Sequence, residues 1–178
     1  MRKNDTRKTD TRKNDTRKNV KPVQKKFTLK ISAHFSKRDF MCRCGKCDSA
    51  IRVSMGLVGG LELLRAKVQS RVTVVRGYMC ADAVEAERGL RRNYYAIGLA
   101  ADIRVDDMDI KDVFRFAEEI PEFKGIGLNL DQDVLHVDTR KDKTCSLWVE
   151  THGQVIPLDE SNRFAYIGHA REVVTELS

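Results

Sequence analysis

The sequence predicts an α+β domain in which helices pack against a small antiparallel sheet. Short segments rich in β-branched residues recur through the middle of the chain, and segments with helical apolar spacing separate them. The last two strand segments are joined by a short polar turn, which is typical of antiparallel neighbours. The elements follow the order helix, strand, strand, helix, strand, strand, and 178 residues with 41% apolar content suffice for one core.

The first predicted helix and strand follow each other directly. From Ser49 to Val68, apolar residues recur close to the helical period. Gly59 and Gly60 each weaken this helix by about 1 kcal/mol relative to Ala, unless another element packs closely there. The next segment, RVTVVRGYM, is rich in β-branched residues and predicts a buried strand that ends near Gly77.

The remaining elements of the domain are three strands and a capped helix. The segment LAADIRV predicts the second strand. Asp109 is placed to cap a helix over IKDVFRFAEEI, whose apolar residues fall on one face and which Pro121 stops. Two further strands, GIGLNL and DVLHVDTR, are joined by the polar turn around Asp131.

The N-terminal residues differ in composition from the rest of the chain. Residues 1–26 repeat pentapeptides of the RKNDT type and carry 11 basic and 3 acidic side chains, which leaves 22 basic and 23 acidic in the remainder. The repeat is either a flexible arm that binds phosphate or another polyanion, or a disordered extension without that function. The repeat contains no aromatic residue for base stacking, which weakens the case for nucleic-acid binding. Because the remainder of the chain is close to neutral, we do not expect nucleic-acid binding except through this tail.

We divide the chain into a disordered basic pentapeptide-repeat tail (1–26), a folded domain (27–150) and a C-terminal extension (151–178) with a helix expected from His169. No apolar run reaches the 18 or so residues of a membrane span, and no hydrophobic stretch follows the basic N-terminus. We therefore expect no membrane span, no secretory signal and a cytoplasmic location for the chain as written. The sequence does not indicate an oligomeric state.

The most informative polar residues lie on two predicted strands. Asp102 interrupts an apolar strand, where an unpaired carboxylate is costly. His136 shares one side of its strand with Val134 and Asp138, and Asp133 precedes it by three residues. A carboxylate and an imidazole on neighbouring strands can hold zinc while another carboxylate acts as general base. Alternatively, Asp102 caps a turn and His136 forms a hydrogen bond in the core.

Five segments also resemble a known family in their order and spacing: GYMC, IGLAADI, GIGLNL, HVDTR and Trp148. They are similar to the zinc D-Ala-D-Ala carboxypeptidases and related peptidoglycan endopeptidases, which share the hedgehog/DD-peptidase fold. The resemblance covers residues 30–149 approximately, and HFSKRDFMCRCGKC resembles the family segment before the first helix. It implies that fold, a zinc cofactor, and a peptidoglycan peptide or precursor as the partner.

The resemblance implies roles for the polar residues. The first metal motif of the family, Ser-x-His-x-x-Gly-x-Ala-x-Asp, is matched here by Asn93, Tyr95, Gly98, Ala100 and Asp102. Asp102 then corresponds to the second metal ligand and His136 to the third. Asp133 would activate the attacking water, and Asp138 would steady the histidine ligand.

Two substitutions depart from the family pattern. Tyr95 replaces the first histidine ligand. A phenol has an ordinary pKa near 10, so it binds a metal at pH 7 only if the metal drives its deprotonation. Met79 replaces the arginine expected to hold the substrate carboxylate, and Arg76, Arg91 or Arg92 are the candidates to take its place. We therefore expect impaired zinc binding.

The cysteines form a second candidate metal site. Cys42, Cys44 and Cys47 make a C-x-C-x-x-C motif, and Cys80 follows the first strand. The four thiols could hold a structural zinc ion, or they could pair as disulfides in an oxidising compartment. A third possibility is that they are inherited from the family, in which a similar cysteine-rich turn recurs. Cys145 is expected to be unpaired.

Three functions are compatible with these features. The first is a metallopeptidase of the D-Ala-D-Ala carboxypeptidase type, in which zinc polarises the scissile carbonyl and Asp133 takes a proton from water. It would act on precursors in the cytoplasm, or on the cell wall if released during phage lysis. The second is a catalytically inactive binding or structural module of the same fold, favoured by Tyr95 and Met79. The third, least favoured by the near-neutral domain, is polyanion binding through the tail.

Overall fold

The computed structural model describes residues 29–48, 50–88 and 94–168, and these form six strands, four α-helices and a short 3₁₀ helix. The elements in chain order are the 3₁₀ helix Lys37–Phe40, α1 (Met55–Val68), β1 (Val72–Arg76), α2 (Ala81–Arg88), β2 (Ala100–Val105), α3 (Ile110–Glu118), β3 (Gly125–Asn129), β4 (Val134–Asp138), β5 (Ser146–Thr151), β6 (Gln154–Pro157) and α4 (Arg163–Ile167).

The strands form one sheet in the order β1-β2-β4-β3-β5-β6. The α+β class is confirmed, but the sheet is mixed rather than fully antiparallel, because β3 and β5 run parallel. The reason is the path of the chain: β4 ends at Asp138 opposite Gly125, the first residue of β3. The chain then crosses to the other edge of β3, where Ser146 pairs with the same Gly125. A strand that starts there runs alongside β3 in the same direction.

The helix ends follow local hydrogen bonding. Helix α1 begins at Met55 rather than near residue 49, because the Ser54 side chain accepts a hydrogen bond from the backbone N–H of Gly56 and caps it. Asp109 caps α3 as predicted, accepting from the N–H of Lys111 at 2.8 Å. Gly60 faces the ring of Phe123, and a Cβ at this glycine would lie 2.6 Å from that ring. The glycine at position 60 therefore allows Phe123 to pack closely against helix α1.

Two apolar clusters make up the interior of the described part of the chain. The main core lies between the sheet and helices α1 and α3, and its fully buried large side chains include Leu57, Leu61, Phe114, Ile126 and Leu135. A smaller cluster of buried residues, which we call the Tyr95 cluster, consists of Cys42, Met79, Ala83, Val84, Tyr95 and Ala100. The Tyr95 cluster connects the loop before α1, the start of α2 and the first residue of β2.

The C-terminal region continues the sheet. The boundary expected at residue 150, between the domain and the C-terminal extension, falls inside β5. Strand β6 pairs with β5, with Thr151 opposite Gln154. The domain and the extension therefore share one sheet. The helix expected from His169 and the tail of residues 1–26 lie outside the described residues. Among the described residues, no helix is both long and apolar enough to cross a membrane.

Candidate active site

The sheet places the predicted site residues in one row across four strands. Asp102 of β2 lies directly opposite His136 of β4. His136 in turn lies opposite Gly127 of β3, which lies opposite Trp148 of β5. Side chains paired across neighbouring strands point to the same face of a sheet, so these residues share one surface. A Cβ at position 127 would overlap the indole of Trp148, so the glycine makes room for that ring beside His136.

Tyr95 joins Asp102 and His136 from a turn that precedes β2. Its hydroxyl donates a hydrogen bond to Oδ1 of Asp102 and lies 2.7 Å from Nδ1 of His136. The same Nδ1 lies 3.1 Å from Oδ1 of Asp102, so the three polar atoms are mutual neighbours. The turn depends on Gly98, which has a φ of +74° and whose Cβ would lie 2.6 Å from the backbone of Arg52. Tyr95, Asp102 and His136 therefore meet at one point, and the assignment of Tyr95 to the first ligand position stays a prediction.

Asp138 contacts the opposite nitrogen of the His136 ring. Its Oδ2 lies 3.1 Å from Nε2 of His136, and the Asp138 side chain is fully buried. Arg140 donates to both oxygens of this carboxylate, from Nε at 2.8 Å and 3.1 Å. The Arg140 guanidinium also lies over the Tyr94 ring at 4.5 Å and over the Trp148 ring at 5.6 Å. Asp138 thus connects the histidine to a cation held by two aromatic rings.

The electrostatics of the site follow from these contacts. Burial alone would raise the pKa of Asp102, but hydrogen bonds to His136 and Tyr95 and the charge of Arg76 hold that pKa below its ordinary value. Burial would lower the pKa of His136, but hydrogen bonds to the two carboxylates raise it overall. Burial opposes ionisation of Asp138 as well, yet Arg140 and His136 lower its pKa to about 2. The carboxylates of Asp102 and Asp138 therefore flank the imidazole of His136 and favour its protonated form.

Asp133, the predicted general base, does not line the cavity beside Tyr95, Asp102 and His136. Asp133 is exposed in the β3–β4 turn with a φ of +52°, and its backbone carbonyl accepts from Nε of Arg104. Glu150 does line that cavity and was missed by the sequence analysis. The role of Asp133 stays a prediction, and Glu150 is a second candidate for it.

The substrate-binding arginine of the family has no direct counterpart at position 79. Met79 is 4% exposed and belongs to the Tyr95 cluster. Arg76 does lie at the site: its Nη1 is 3.6 Å from Oδ2 of Asp102, and its guanidinium is 5.9 Å from the Tyr95 ring centroid. Of the other candidates, Arg91 and Arg92 lie outside the described residues, as does Asn93.

The donor atoms do not fit a tetrahedral zinc ion in this arrangement. Zinc binds imidazole nitrogen and carboxylate oxygen at about 2.0–2.2 Å, which places neighbouring ligand atoms about 3.3 Å apart. Tyr95 Oη lies 2.7 Å from His136 Nδ1 and closer still to Asp102, and these are direct hydrogen-bond distances. In the described part of the chain, no third His, Cys, Asp or Glu joins Asp102 and His136 to make a metal-binding group.

Four cysteines form a second polar group next to the Tyr95 cluster, which includes Cys42 and against which Cys44, Cys47 and Cys80 pack. The thiol sulfurs of Cys42, Cys44, Cys47 and Cys80 all lie within 4.8 Å of one another. Backbone N–H groups of Cys47 and Lys46 donate to Sγ of Cys44 and lower the pKa of this thiol to about 6. All five cysteines are free thiols in the structure, and Cys145 is exposed and apart from the other four.

A comparison with protein families covers most of these residues. A family model described as Peptidase M15 matches residues 33–138, a segment that contains the four clustered cysteines, Tyr95, Asp102, His136 and Asp138. No curated protein and no solved structure gives a significant match. The family consists of zinc peptidases, which agrees with the resemblance noted in the sequence. Because the matched segment covers more than half of the 178 residues, this chain belongs to the Peptidase M15 family.

Proposed function

We propose that this chain is a D-Ala-D-Ala carboxypeptidase-like domain that binds peptidoglycan peptides but hydrolyses them poorly. Family membership supports a metallopeptidase origin. The proposal that hydrolysis is poor rests on one observation. The Tyr95 hydroxyl bonds directly to Asp102 and His136, the two remaining ligand positions. These atoms are satisfied by one another rather than directed at a common ion.

Hydrolysis of a peptide bond by this family's chemistry needs a polarised carbonyl and an activated water. Tyr95 and Asp102 are 4% and 5% exposed, so their hydrogen bond is sheltered from water and is not easily exchanged for another partner. Separating the three atoms to admit an ion would break at least one charged hydrogen bond, each worth about 1.5–3 kcal/mol. Impaired turnover follows from this competition.

The cavity beside Tyr95, Asp102 and His136 suits a short polar peptide. The cavity has an aromatic wall, because the Trp148 ring lies 5.1 Å from His136, and polar groups from Asn129 and Glu150. Arg76, whose Nη1 lies 3.6 Å from Oδ2 of Asp102, is our candidate among the described residues to pair with a C-terminal carboxylate. An aromatic wall with a few placed polar groups is typical of small-ligand sites.

A second candidate function is an active metallopeptidase with Tyr95 as a tyrosinate ligand. The favouring observation is that Tyr95 Oη, Asp102 Oδ1 and His136 Nδ1 converge from three different elements. The sequence resemblance implies that these are the three ligand positions. In this case the general base would be Asp133 in the turn or Glu150 in the cavity.

Peptide titration combined with a turnover assay tests the proposal. A short peptide ending in D-Ala-D-Ala is titrated calorimetrically into the full chain, with the L-Ala-L-Ala peptide as the matched control. Release of D-Ala is then followed with added zinc in the wild type and in Tyr95→His. We expect binding selective for the D-peptide, little release by the wild type and more by the variant. Failure to bind the D-peptide would refute the proposal, and equal release by both proteins would favour the tyrosinate enzyme.

A further inference from the structure

The four clustered cysteines have the spacing of a metal cage. The sulfur of Cys44 lies 3.5 Å from that of Cys47 and 3.7 Å from that of Cys80. In a tetrahedral zinc–tetrathiolate site, bonds of about 2.3 Å place neighbouring sulfurs about 3.8 Å apart. Sulfurs joined in a disulfide would lie about 2.05 Å apart. The observed separations therefore match ligands around one ion rather than bonded pairs.

The backbone around the cluster is arranged to support negative sulfur. Backbone N–H groups of Lys46 and Cys47 both donate to Sγ of Cys44 at 3.4 Å, and the N–H of Cys80 donates to Sγ of Cys42 at 3.4 Å. The first two bonds require a tight turn, and Gly45 supplies it with a φ of +70°. Donors aimed at sulfur stabilise the thiolate form, which is the form that binds metals.

We propose that Cys42, Cys44, Cys47 and Cys80 bind one structural zinc ion, separate from the site at Tyr95. Four soft sulfur ligands in a tetrahedron select zinc among the common divalent ions. Each thiol that is still protonated releases its proton on coordination, so up to four protons leave and no electron is transferred. The exposed basic neighbours Arg43 and Lys46 offset part of the excess negative charge of a zinc–tetrathiolate centre.

The position of the cage gives it a structural task. Cys42, Cys44 and Cys47 come from the loop before α1, and Cys80 comes from the residue before α2, 33 positions beyond Cys47. The Tyr95 cluster, to which Cys42 itself belongs, has six buried residues within the described part of the chain, too few to hold these segments together strongly by burial alone. A metal crosslink would fix the loop against the start of α2 and so hold Tyr95 beside Asp102.

Metal analysis of the full chain tests this inference independently of the proposed function. The protein is purified under reducing conditions without chelator or histidine tag, and zinc is measured by elemental mass spectrometry. We expect one zinc per chain, retained in His136→Ala and in the control Cys145→Ser but lost in Cys44→Ser. Zinc that is lost in His136→Ala and kept in Cys44→Ser would overturn the inference, as would iron in place of zinc.

A second measurement on the wild type removes the risk that Cys44→Ser fails to fold. A thiol alkylating reagent is applied to the zinc-loaded protein and to the chelator-treated protein, and the modified sites are located by mass spectrometry. We expect modification of Cys145 alone with zinc and of all five cysteines without it. Zinc competition with a chromophoric chelator should give a Kd of about 10⁻⁸ M or tighter. Equal modification in both states, no zinc uptake, or disulfides among the four cysteines would each refute the cage.

Discussion

Replacing Tyr95 by histidine should raise the zinc affinity of the site at Asp102 and His136 by tenfold or more. A phenol has an ordinary pKa near 10, so forming the phenolate at pH 7 costs about 4 kcal/mol. Coordination would also disrupt the hydrogen bond that Tyr95 donates to Asp102, a charged bond worth about 1.5–3 kcal/mol. Imidazole has an ordinary pKa near 6.5 and binds zinc at pH 7 almost without this cost. The stronger attraction of zinc for a phenolate offsets part of the difference, so we take tenfold, about 1.4 kcal/mol, as the lower limit.

The assay must separate this site from the cysteines. The cysteine site is first loaded with one equivalent of zinc, and further zinc is then titrated against a chromophoric chelator in the wild type and in Tyr95→His. Tyr95→His combined with His136→Ala serves as the control. Zinc affinity should rise more steeply between pH 7 and 9 with Tyr95 than in the histidine variant, because each bound ion displaces a phenol proton in addition to any proton that His136 carries in both proteins. Equal affinities at pH 7, together with equal pH profiles, would show that Tyr95 does not occupy a ligand position.

Three further perturbations test the contacts of the site. Tyr95→Phe should lower the free energy of unfolding by about 1.5–3 kcal/mol in urea denaturation, because a charged hydrogen bond in the interior is lost. Tyr166→Phe is the control and should change the free energy of unfolding little, because the Tyr166 hydroxyl forms no hydrogen bond within the described residues. The pKa of Asp138 is lowered to about 2, so its contribution of about 2 kcal/mol should be present above pH 4 and be lost as the pH falls through 2. The difference in unfolding free energy between the wild type and Asp138→Asn should shrink over this range, and a constant difference would contradict the assignment. Gly127→Ala should displace the indole of Trp148 and destabilise the fold by about 1–3 kcal/mol. Trp148 is the sole tryptophan, so the fluorescence spectrum reports the displacement directly. An unchanged spectrum and melting temperature would refute the close contact.

Local sequence signals were sufficient for the elements with a strong pattern. Helix α3 was found because Asp109 is a good cap and its apolar residues keep one face. Helix α2 was missed because Ala83 and Val84 are its only buried side chains among those described, too few to show a period. Its formation depends on packing against the Tyr95 cluster, a tertiary contact that no local pattern encodes.

Strands β5 and β6 were missed although a signal for them was present. They form a hairpin whose turn contains His152 and Gly153, both at positive φ, a conformation typical of two-residue hairpin loops. The carboxylate of Asp131 accepts the N–H groups of both turn residues, so the β3–β4 turn helps to hold this hairpin. Recognising the hairpin would have placed Glu150 on the same face as Trp148, two residues before it, and so in the cavity.

The central pair of the site could be predicted in part. The sequence showed that Asp102 and His136 lie on strands, but the register that sets them directly opposite each other is a long-range property. The contact of Tyr95 with both residues was visible only through the family spacing, since a tyrosine in a turn has no metal-binding signature of its own. The position of Asp133 was inferred from the same spacing, and the left-handed backbone at this residue was not foreseeable from residue type.

The two departures from the family pattern are best understood as one structural change. Met79 and Tyr95 belong to the same buried cluster, and the backbone N–H of Met79 donates to the carbonyl of Tyr95 at 3.5 Å. An arginine at position 79, with 4% exposure, would bring a guanidinium into this cluster and would need a charged partner there. A methionine instead provides an apolar surface that suits the buried phenol ring. Introducing the histidine alone should therefore recover metal binding without changing the recognition of a substrate carboxylate, because position 79 carries no cation in either protein and our proposal assigns that contact to Arg76.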